Sequence, residues 1–191
     1  RDRDVTGVQT CALPICMKKK PGAMARALAA QGYEDDPAAA LARMTEAEIE
    51  TVILHERGEQ QAGKRLEPAW GAMVAGFGQK RPELLARAVR DHLADCLTTL
   101  PVLLAQDRQG SLHFWFANLD GLRRDLFPSL ARAYEDWAAG RGSAGLEATL
   151  TAGRAHWQAV AERLLASHTR QGAAAETELA AWASAPVVLA L

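Results

Sequence analysis

The spacing of apolar residues is the feature that most restricts the fold of this chain. Apolar side chains recur at intervals of three and four residues over almost the whole of the 191-residue sequence, and alternation with a period of two is essentially absent. A period near 3.6 places such side chains on one face of an α-helix. Alanine, leucine and arginine are frequent and β-branched residues are scarce, which also favours helix over strand. The sequence therefore predicts an all-α protein.

Proline, glycine and capping residues divide the periodic pattern into five to seven helices. The sequence therefore predicts a compact single-domain bundle of these helices. Thr45 and Glu48 have the spacing of a capping box and predict a helix over 45–64. Pro82 lies where a first-turn proline is expected and predicts a second long helix over 83–100, which Pro101 breaks or kinks. The remaining predicted elements cover residues 23–31, 69–77, 112–137 as one kinked helix or two, 146–168 and 173–183, with a brief turn at Pro37.

Residues 1–16 differ in character from the rest of the chain. The segment from Val5 to Ile15 resembles the translation of a sequencing-library adapter, with every residue matching in order. The preceding residues, Arg1 to Asp4, fit the primer and index bases that lie upstream of such an adapter. A segment of this kind carries no information about the natural fold. The sequence therefore predicts that residues 1–16 are an adapter-derived, non-native extension that makes few contacts. Residues 17–191 are then a single helical domain, whose true start is Met17, Met24 or a missing upstream position.

Charge and cysteine content exclude several classes of protein. Basic and acidic side chains number 22 and 23, for a net charge of −1, so nothing indicates a nucleic acid or an anionic membrane as partner. No apolar run approaches the roughly 20 residues of a membrane helix. Cys96 is the only cysteine after residue 16, and we interpret it as a small buried apolar residue. These features favour a soluble cytoplasmic domain, and the composition indicates a GC-rich bacterial genome.

A group of polar residues interrupts the apolar face predicted for the helix that begins at the capping box. Glu56 falls on the stripe that contains Ile49 and Val52. Burying a lone carboxylate costs several kcal/mol, so Glu56 is predicted to be buried with a charged or strongly hydrogen-bonding partner. His55 and Glu59 flank it with an i,i+4 spacing that can hold one metal ion.

The predicted helix over 83–100 carries a second polar group. His92, Asp95 and Cys96 lie within about one turn, and His92 borders the apolar stripe of this helix. We expect the two helices to pack together, because one shared interface satisfies groups that are costly to bury alone. This packing brings His92 within reach of the carboxylates of the first group. The candidate metal ligands are therefore His55, Glu56, Glu59 and His92.

This pattern resembles the helical bundles that bind two iron ions through carboxylates and histidines. The resemblance implies a transition metal as cofactor and an enzyme or a metal carrier as function. It is limited to residue types and spacing, since the Glu-x-x-His, His-x-x-x-His and His-x-x-x-x-Asp motifs of those bundles are missing from this chain. The alternatives for the same residues are hydrogen-bonded groups at the edge of the core, or a ligand pocket without a metal.

The aromatic stripe between Trp115 and Trp137 is the largest apolar surface in the sequence. Core packing is its first interpretation, and a small-ligand pocket or a homodimer seam is the alternative. Our first functional hypothesis is therefore a non-enzymatic helical protein that binds a partner chain or a small ligand. The second is a metal-dependent enzyme or carrier that uses the candidate ligands named above.

Overall fold

The computed structural model describes residues 21–191, and 82% of these residues are helical, with no strand among them. The all-α prediction is confirmed. Eight of the α-helices in this range have seven or more residues, so the predicted number of five to seven is too low. The predicted lack of contacts of residues 1–16 lies outside the described residues. The α-helices are α1 (Ala23–Ala30), α2 (Pro37–Leu66), α3 (Ala69–Ala75), α4 (Lys80–Ala94), α5 (Leu100–Ala105), α6 (Gln109–Ala117), α7 (Gly121–Leu126), α8 (Pro128–Ala138), α9 (Ala144–Gln171) and α10 (Ala175–Ser184).

Helix α2 begins at Pro37 rather than at Thr45. Asp36 caps its N-terminus by accepting a hydrogen bond from the backbone N–H of Ala39 at 3.0 Å, and Pro37 occupies the first turn. Thr45 lies inside the helix, where its hydroxyl donates to the carbonyl of Leu41. A threonine bonded to the carbonyl four residues back is a mid-helix arrangement. The capping-box prediction is therefore wrong, and what was predicted as a brief turn is the start of the longest helix in the described part of the chain.

The buried face of α2 is not the face that the sequence predicts. Ile49, Val52 and Ile53 are 59%, 58% and 46% exposed, and Glu56 is exposed as well, so the prediction that Glu56 is buried is wrong. The buried face contains several small residues, which contribute less to an apolar pattern than the β-branched residues on the outside. Its members are Ala40, Met44, Thr51, Leu54, Gly58, Ala62 and Leu66.

Helix α2 packs antiparallel against a continuous helical run formed by α4, a π-helical turn (Asp95–Thr99) and α5. The hydroxyl of Thr98 donates to the carbonyl of Leu54 at 2.8 Å. Gly58 lies so close to this run that an added Cβ would come within 2.5 Å of the carbonyl oxygen of Ala94. The predicted packing of these two helices is confirmed, and the small residues on α2 make the close approach possible.

The π-helical turn ends at Thr99, two residues before Pro101. A proline inside a helix has no N–H to donate, and its ring clashes with the carbonyl four residues back, here that of Leu97. A wider turn accommodates this ring, so the helix continues where the sequence predicted a break or kink. Turns of this type are frequent at functional sites, and this one begins with Asp95.

The aromatic stripe is divided among α6, α7 and α8 and belongs to the hydrophobic core. Phe116, Phe127 and Tyr134 are buried, and the tryptophans at the two ends of the stripe are partly buried. The interpretation of the stripe as core packing is confirmed. Among the described residues, no helix combines the length and the apolar character that a bilayer span requires.

Candidate functional site

Polar side chains from two antiparallel helical runs meet at one edge of the interface between α2 and α4. Helix α2 supplies His55 and Glu59, which are one turn apart, and the facing run supplies Asp91 and Asp95, which are also one turn apart. Residues with this spacing lie on the same side of a helix, so the two pairs face each other across the interface. We call these four residues the His55 cluster.

Asp95 is the most deeply buried member of the His55 cluster, with 1% of its side chain exposed. Its Oδ1 lies 2.9 Å from Nδ1 of His55, and its Oδ2 accepts a hydrogen bond of 2.6 Å from Nη2 of Arg123 on α7. Burial disfavours the ionised carboxyl, but the hydrogen bond with His55 and the charge of Arg123 outweigh it, so the pKa of Asp95 lies below its usual range. Asp95 is therefore a carboxylate, and its two hydrogen bonds connect α2 and α7 to the π-helical turn.

The imidazole of His55 is oriented by this bond. An ionised carboxylate can only accept, so the hydrogen lies on Nδ1 and the neutral ring keeps a lone pair on Nε2. That nitrogen is 3.7 Å from Oε1 of Glu59, and 30% of the His55 side chain is exposed. The hydrogen bond with Asp95 raises the pKa of His55, and burial only partly opposes it. The cluster therefore presents a basic nitrogen in a fixed direction.

One ligand atom each from His55, Glu59 and Asp91 lies within 4.8 Å of the other two. Atoms bound to one ion at about 2.1 Å are about 3 to 3.5 Å apart in tetrahedral or octahedral geometry, so the three atoms are near the spacing of a coordinated set but would have to move closer together to bind one ion. Burial raises the pKa of Asp91, although the charge of Arg123 opposes this. Arg90 donates to Oε1 of Glu59 at 2.7 Å and balances part of the negative charge.

The structure brings His55 and Glu59 together but places Glu56 elsewhere. Glu56 is exposed on the outer face of α2, so it does not belong to the His55 cluster. The reason is the helical phase: one residue corresponds to a rotation of about 100°. This rotation carries Glu56 from the interface edge, where His55 lies, to the opposite side of the helix from the core.

His92 also lies outside the His55 cluster. It is fully buried, its Nε2 donates to the carbonyl of Arg123 at 2.9 Å, and its ring stacks on Trp157 with a centroid distance of 4.8 Å. Burial and the nearby Arg123 lower the pKa of His92 to about 4, so the ring is neutral at pH 7. The expected approach of His92 to the carboxylates of α2 is therefore wrong. Cys96 is buried too, and burial raises the pKa of its thiol, as expected for a residue that packs as an apolar group.

Asp91 is the member of the cluster that sequence analysis missed. Asp95 was recognised as part of the second polar group, but not as a hydrogen-bond partner of a metal ligand. The available signal is that Asp91 and Asp95 repeat, on the facing helix, the i,i+4 spacing of His55 and Glu59. The sequence analysis selected His92 for its imidazole, and His92 is one residue after Asp91. That step turns a side chain from the interface edge into the core.

The fold and the site define an all-α protein with a histidine–carboxylate cluster between two long helices. Residues 14–185 match the sequence model of a family described as the C-terminal domain of a family of unknown function (DUF6866), and the chain belongs to this family. Comparison with curated proteins finds no match, and comparison with solved structures finds none. Function is therefore inferred from the geometry and chemistry of the His55 cluster.

Proposed function

We propose that this protein binds one transition-metal ion through His55, Glu59 and Asp91. The observation that carries the proposal is the convergence of an imidazole and two carboxylates within 4.8 Å on helical elements. Asp95 supports it independently. A metal-bound histidine almost always donates its second ring N–H to a carboxylate, a carbonyl or water, which fixes the ring and raises its basicity. The bond of 2.9 Å between His55 and Asp95 has this form.

The ligand set favours a first-row transition metal such as Fe(II), Mn(II) or Zn(II). Imidazole and carboxylate together suit these ions, whereas Ca²⁺ prefers six to eight oxygen ligands. Three protein ligands leave coordination positions open for water or a small molecule, which is the property of metal sites that act on a bound ligand. The site holds a single ion, in contrast to the two iron ions of the bundles that the sequence pattern resembles.

The charge around the site also supports a cation. The three carboxylates of the cluster face the guanidinium groups of Arg90 and Arg123, which leaves one negative charge in excess when His55 is neutral. Arg90 does not block the site, because a carboxylate has about four lone-pair positions on two oxygens. Glu59 can therefore keep its bond to Arg90 and bind the ion at the same time.

Removing one ligand is expected to weaken metal binding selectively. We expect the wild-type chain to take up one equivalent of Mn(II), Co(II) or Zn(II). Glu59→Gln and Asp91→Asn are each expected to lower the affinity by at least about 10- to 100-fold, because the loss of even an outer hydrogen-bond partner of a ligand costs that much. Isothermal titration calorimetry on chelator-treated protein measures the affinity and the stoichiometry.

Glu56→Gln is the matched control for this experiment. It removes the same charge from the same helix, but Glu56 is exposed and lies outside the cluster. Its metal affinity is expected to stay close to that of the wild type. The proposal is wrong if the wild type takes up no metal, or if Glu56→Gln and Glu59→Gln weaken binding equally. Circular dichroism of each variant verifies that the helices are intact.

We further propose that residues 17–191 form a single compact domain of bacterial origin that works in a reducing cytoplasm. Support for one domain comes from the buried apolar side chains, because one hydrophobic cluster has members from Leu54 in α2 to Leu189 near the C-terminus. Support for the reducing compartment comes from Cys96, the free and buried cysteine of the described residues.

A further inference from the structure

A cavity of about 320 Å³ opens between α9 and the helical run formed by the π-helical turn and α5. Small-molecule sites usually measure about 300 to 1,000 Å³ and combine apolar walls with a few polar groups. This cavity lies at the lower end of that range, so it suits a molecule about the size of an amino acid. Its lining contains no ligand of the proposed metal site, and its use does not depend on a bound metal.

The inner walls of the cavity are apolar. Cys96 and Leu150 are buried, and Leu97 and Leu104 are partly buried against the core. Pro101 completes this part of the lining. The thiol of Cys96 adds no charge, because burial raises its pKa. An aliphatic group that enters the cavity therefore leaves water without separating a buried charge or polar group from its partner.

Two charged side chains of opposite sign, Glu147 and Arg154 of α9, line the outer part of the cavity. They are seven residues apart, so they lie on the same side of the helix and about 10 Å apart along its axis. Both are exposed, and neither takes part in an ion pair among residues 21–191. No other charged residue of the described part of the chain lines the cavity, so the two charges cancel.

We propose that this cavity binds a free α-amino acid with an aliphatic side chain. Its ammonium group binds the carboxylate of Glu147, its carboxylate binds the guanidinium of Arg154, and its side chain lies against the apolar walls. A ligand with a single charge is attracted by one of these residues and repelled by the other. An α-amino acid is neutral overall and carries both charges on one carbon atom, so it matches both residues at once.

Thr151 lies on α9 between the two charged residues and also lines the cavity. Its hydroxyl donates to the backbone carbonyl of Glu147 at 3.0 Å, so its oxygen keeps lone pairs that can accept a hydrogen bond from the ammonium group. The side chains of Glu147 and Arg154 are long and exposed, and they can converge on a charged head group above Thr151. The head group then stays at the mouth of the cavity, in contact with water.

Titration of the isotope-labelled full chain with L-leucine, followed by NMR, tests the proposal. Isocaproate and isopentylamine are matched ligands, because they keep the leucine side chain and lack the ammonium group and the carboxylate, respectively. L-leucine is expected to shift the amide signals of the cavity residues. It is also expected to bind at least about fivefold more tightly than either analogue, since each analogue lacks one partly exposed ionic contact.

Two substitutions separate the two ionic contacts. Glu147→Gln is expected to weaken the binding of L-leucine and isopentylamine, and Arg154→Gln that of L-leucine and isocaproate. The remaining ligand is expected to bind each variant at least as tightly as the wild type, so each variant is the control for the other. Ala105→Trp is expected to abolish binding of all three ligands, because Ala105 is an exposed residue of the lining and an indole there fills the mouth of the cavity.

Three results overturn the proposal. The first is that L-leucine at up to about 10 mM shifts no signal of the cavity. The second is that either analogue binds the wild type as tightly as L-leucine does, a comparison that needs no variant to fold. The third is that both charge substitutions leave the affinity for L-leucine unchanged. Metal affinity of these variants is expected to equal that of the wild type, which separates this test from that of the metal site.

Discussion

Replacing Asp95 with alanine is expected to lower the free energy of unfolding by about 3 to 5 kcal/mol, the usual cost of breaking a buried ionic pair by removing one partner. Asp95 is 1% exposed and holds His55 and Arg123 on its two oxygens. Without it, the guanidinium of Arg123 loses its carboxylate in a partly buried position, and α7 loses its ionic bond to the π-helical turn. Urea denaturation followed by circular dichroism measures the difference.

Asp91→Ala is the matched control for this prediction, since Asp91 lies one turn earlier on the same helix. Burial already disfavours its charge and raises its pKa, and its side chain takes part in no ion pair within the described residues. Its replacement is therefore expected to be neutral or slightly stabilising. A cost for Asp95→Ala no larger than that for Asp91→Ala would contradict the role of Asp95 as the carboxylate that ties three helical elements together.

Replacing Gly58 with alanine is expected to destabilise the protein by about 1 to 3 kcal/mol, although alanine favours a helix by about 0.5 to 1 kcal/mol relative to glycine. The added Cβ would lie 2.4 Å from Oγ1 of Thr98 and 2.5 Å from the carbonyl oxygen of Ala94. The second contact is with backbone, so the two helices have to move apart. This movement separates His55 and Glu59 from Asp91, and metal affinity is expected to fall together with stability.

Gly63→Ala provides the control on the same helix. A Cβ at Gly63 would meet its nearest heavy atom, Cγ of Glu67, at 3.8 Å, which is an ordinary contact. This variant is expected to be more stable than the wild type by about 0.5 to 1 kcal/mol, the gain in helix propensity. If Gly58→Ala stabilises the protein to the same degree, α2 does not approach α4 as closely as described. Thermal unfolding of both variants decides between these results.

The helical class was predictable, because periodicity is a local property of the sequence. The pairing of the two long helices was predicted correctly, although Glu56 and His92, on which that prediction depended, do not meet in their interface. The orientation of α2 was not. Its buried side contains Gly58 and Ala62, and such small residues allow the facing helix to approach closely. Neither residue adds much to a hydrophobic pattern. The stronger pattern, from Ile49 to Ile53, points outward. Apolar periodicity identifies one face of a helix, and it does not show whether that face packs in the core.

The candidate site was also predictable only in part, namely for the residues that share one helix. His55 and Glu59 share an edge of one helix, so their spacing alone brings them together. Their partners depend on the rotation of α4, which places His92 in the core against Trp157 and leaves Asp91 at the edge of the interface. A local pattern does not contain that rotation, and an error of one residue exchanges Asp91 for His92.

Anomalous X-ray diffraction from crystals grown with Co(II) or Mn(II) tests the metal site most directly. We expect a strong anomalous peak within about 2.0 to 2.2 Å of an imidazole nitrogen of His55 and a carboxylate oxygen from each of its two partners, Glu59 and Asp91. Nδ1 of His55 is expected to keep its bond to Asp95. A peak at other residues with none in the His55 cluster would contradict the assignment, and so would crystals with no anomalous peak at all.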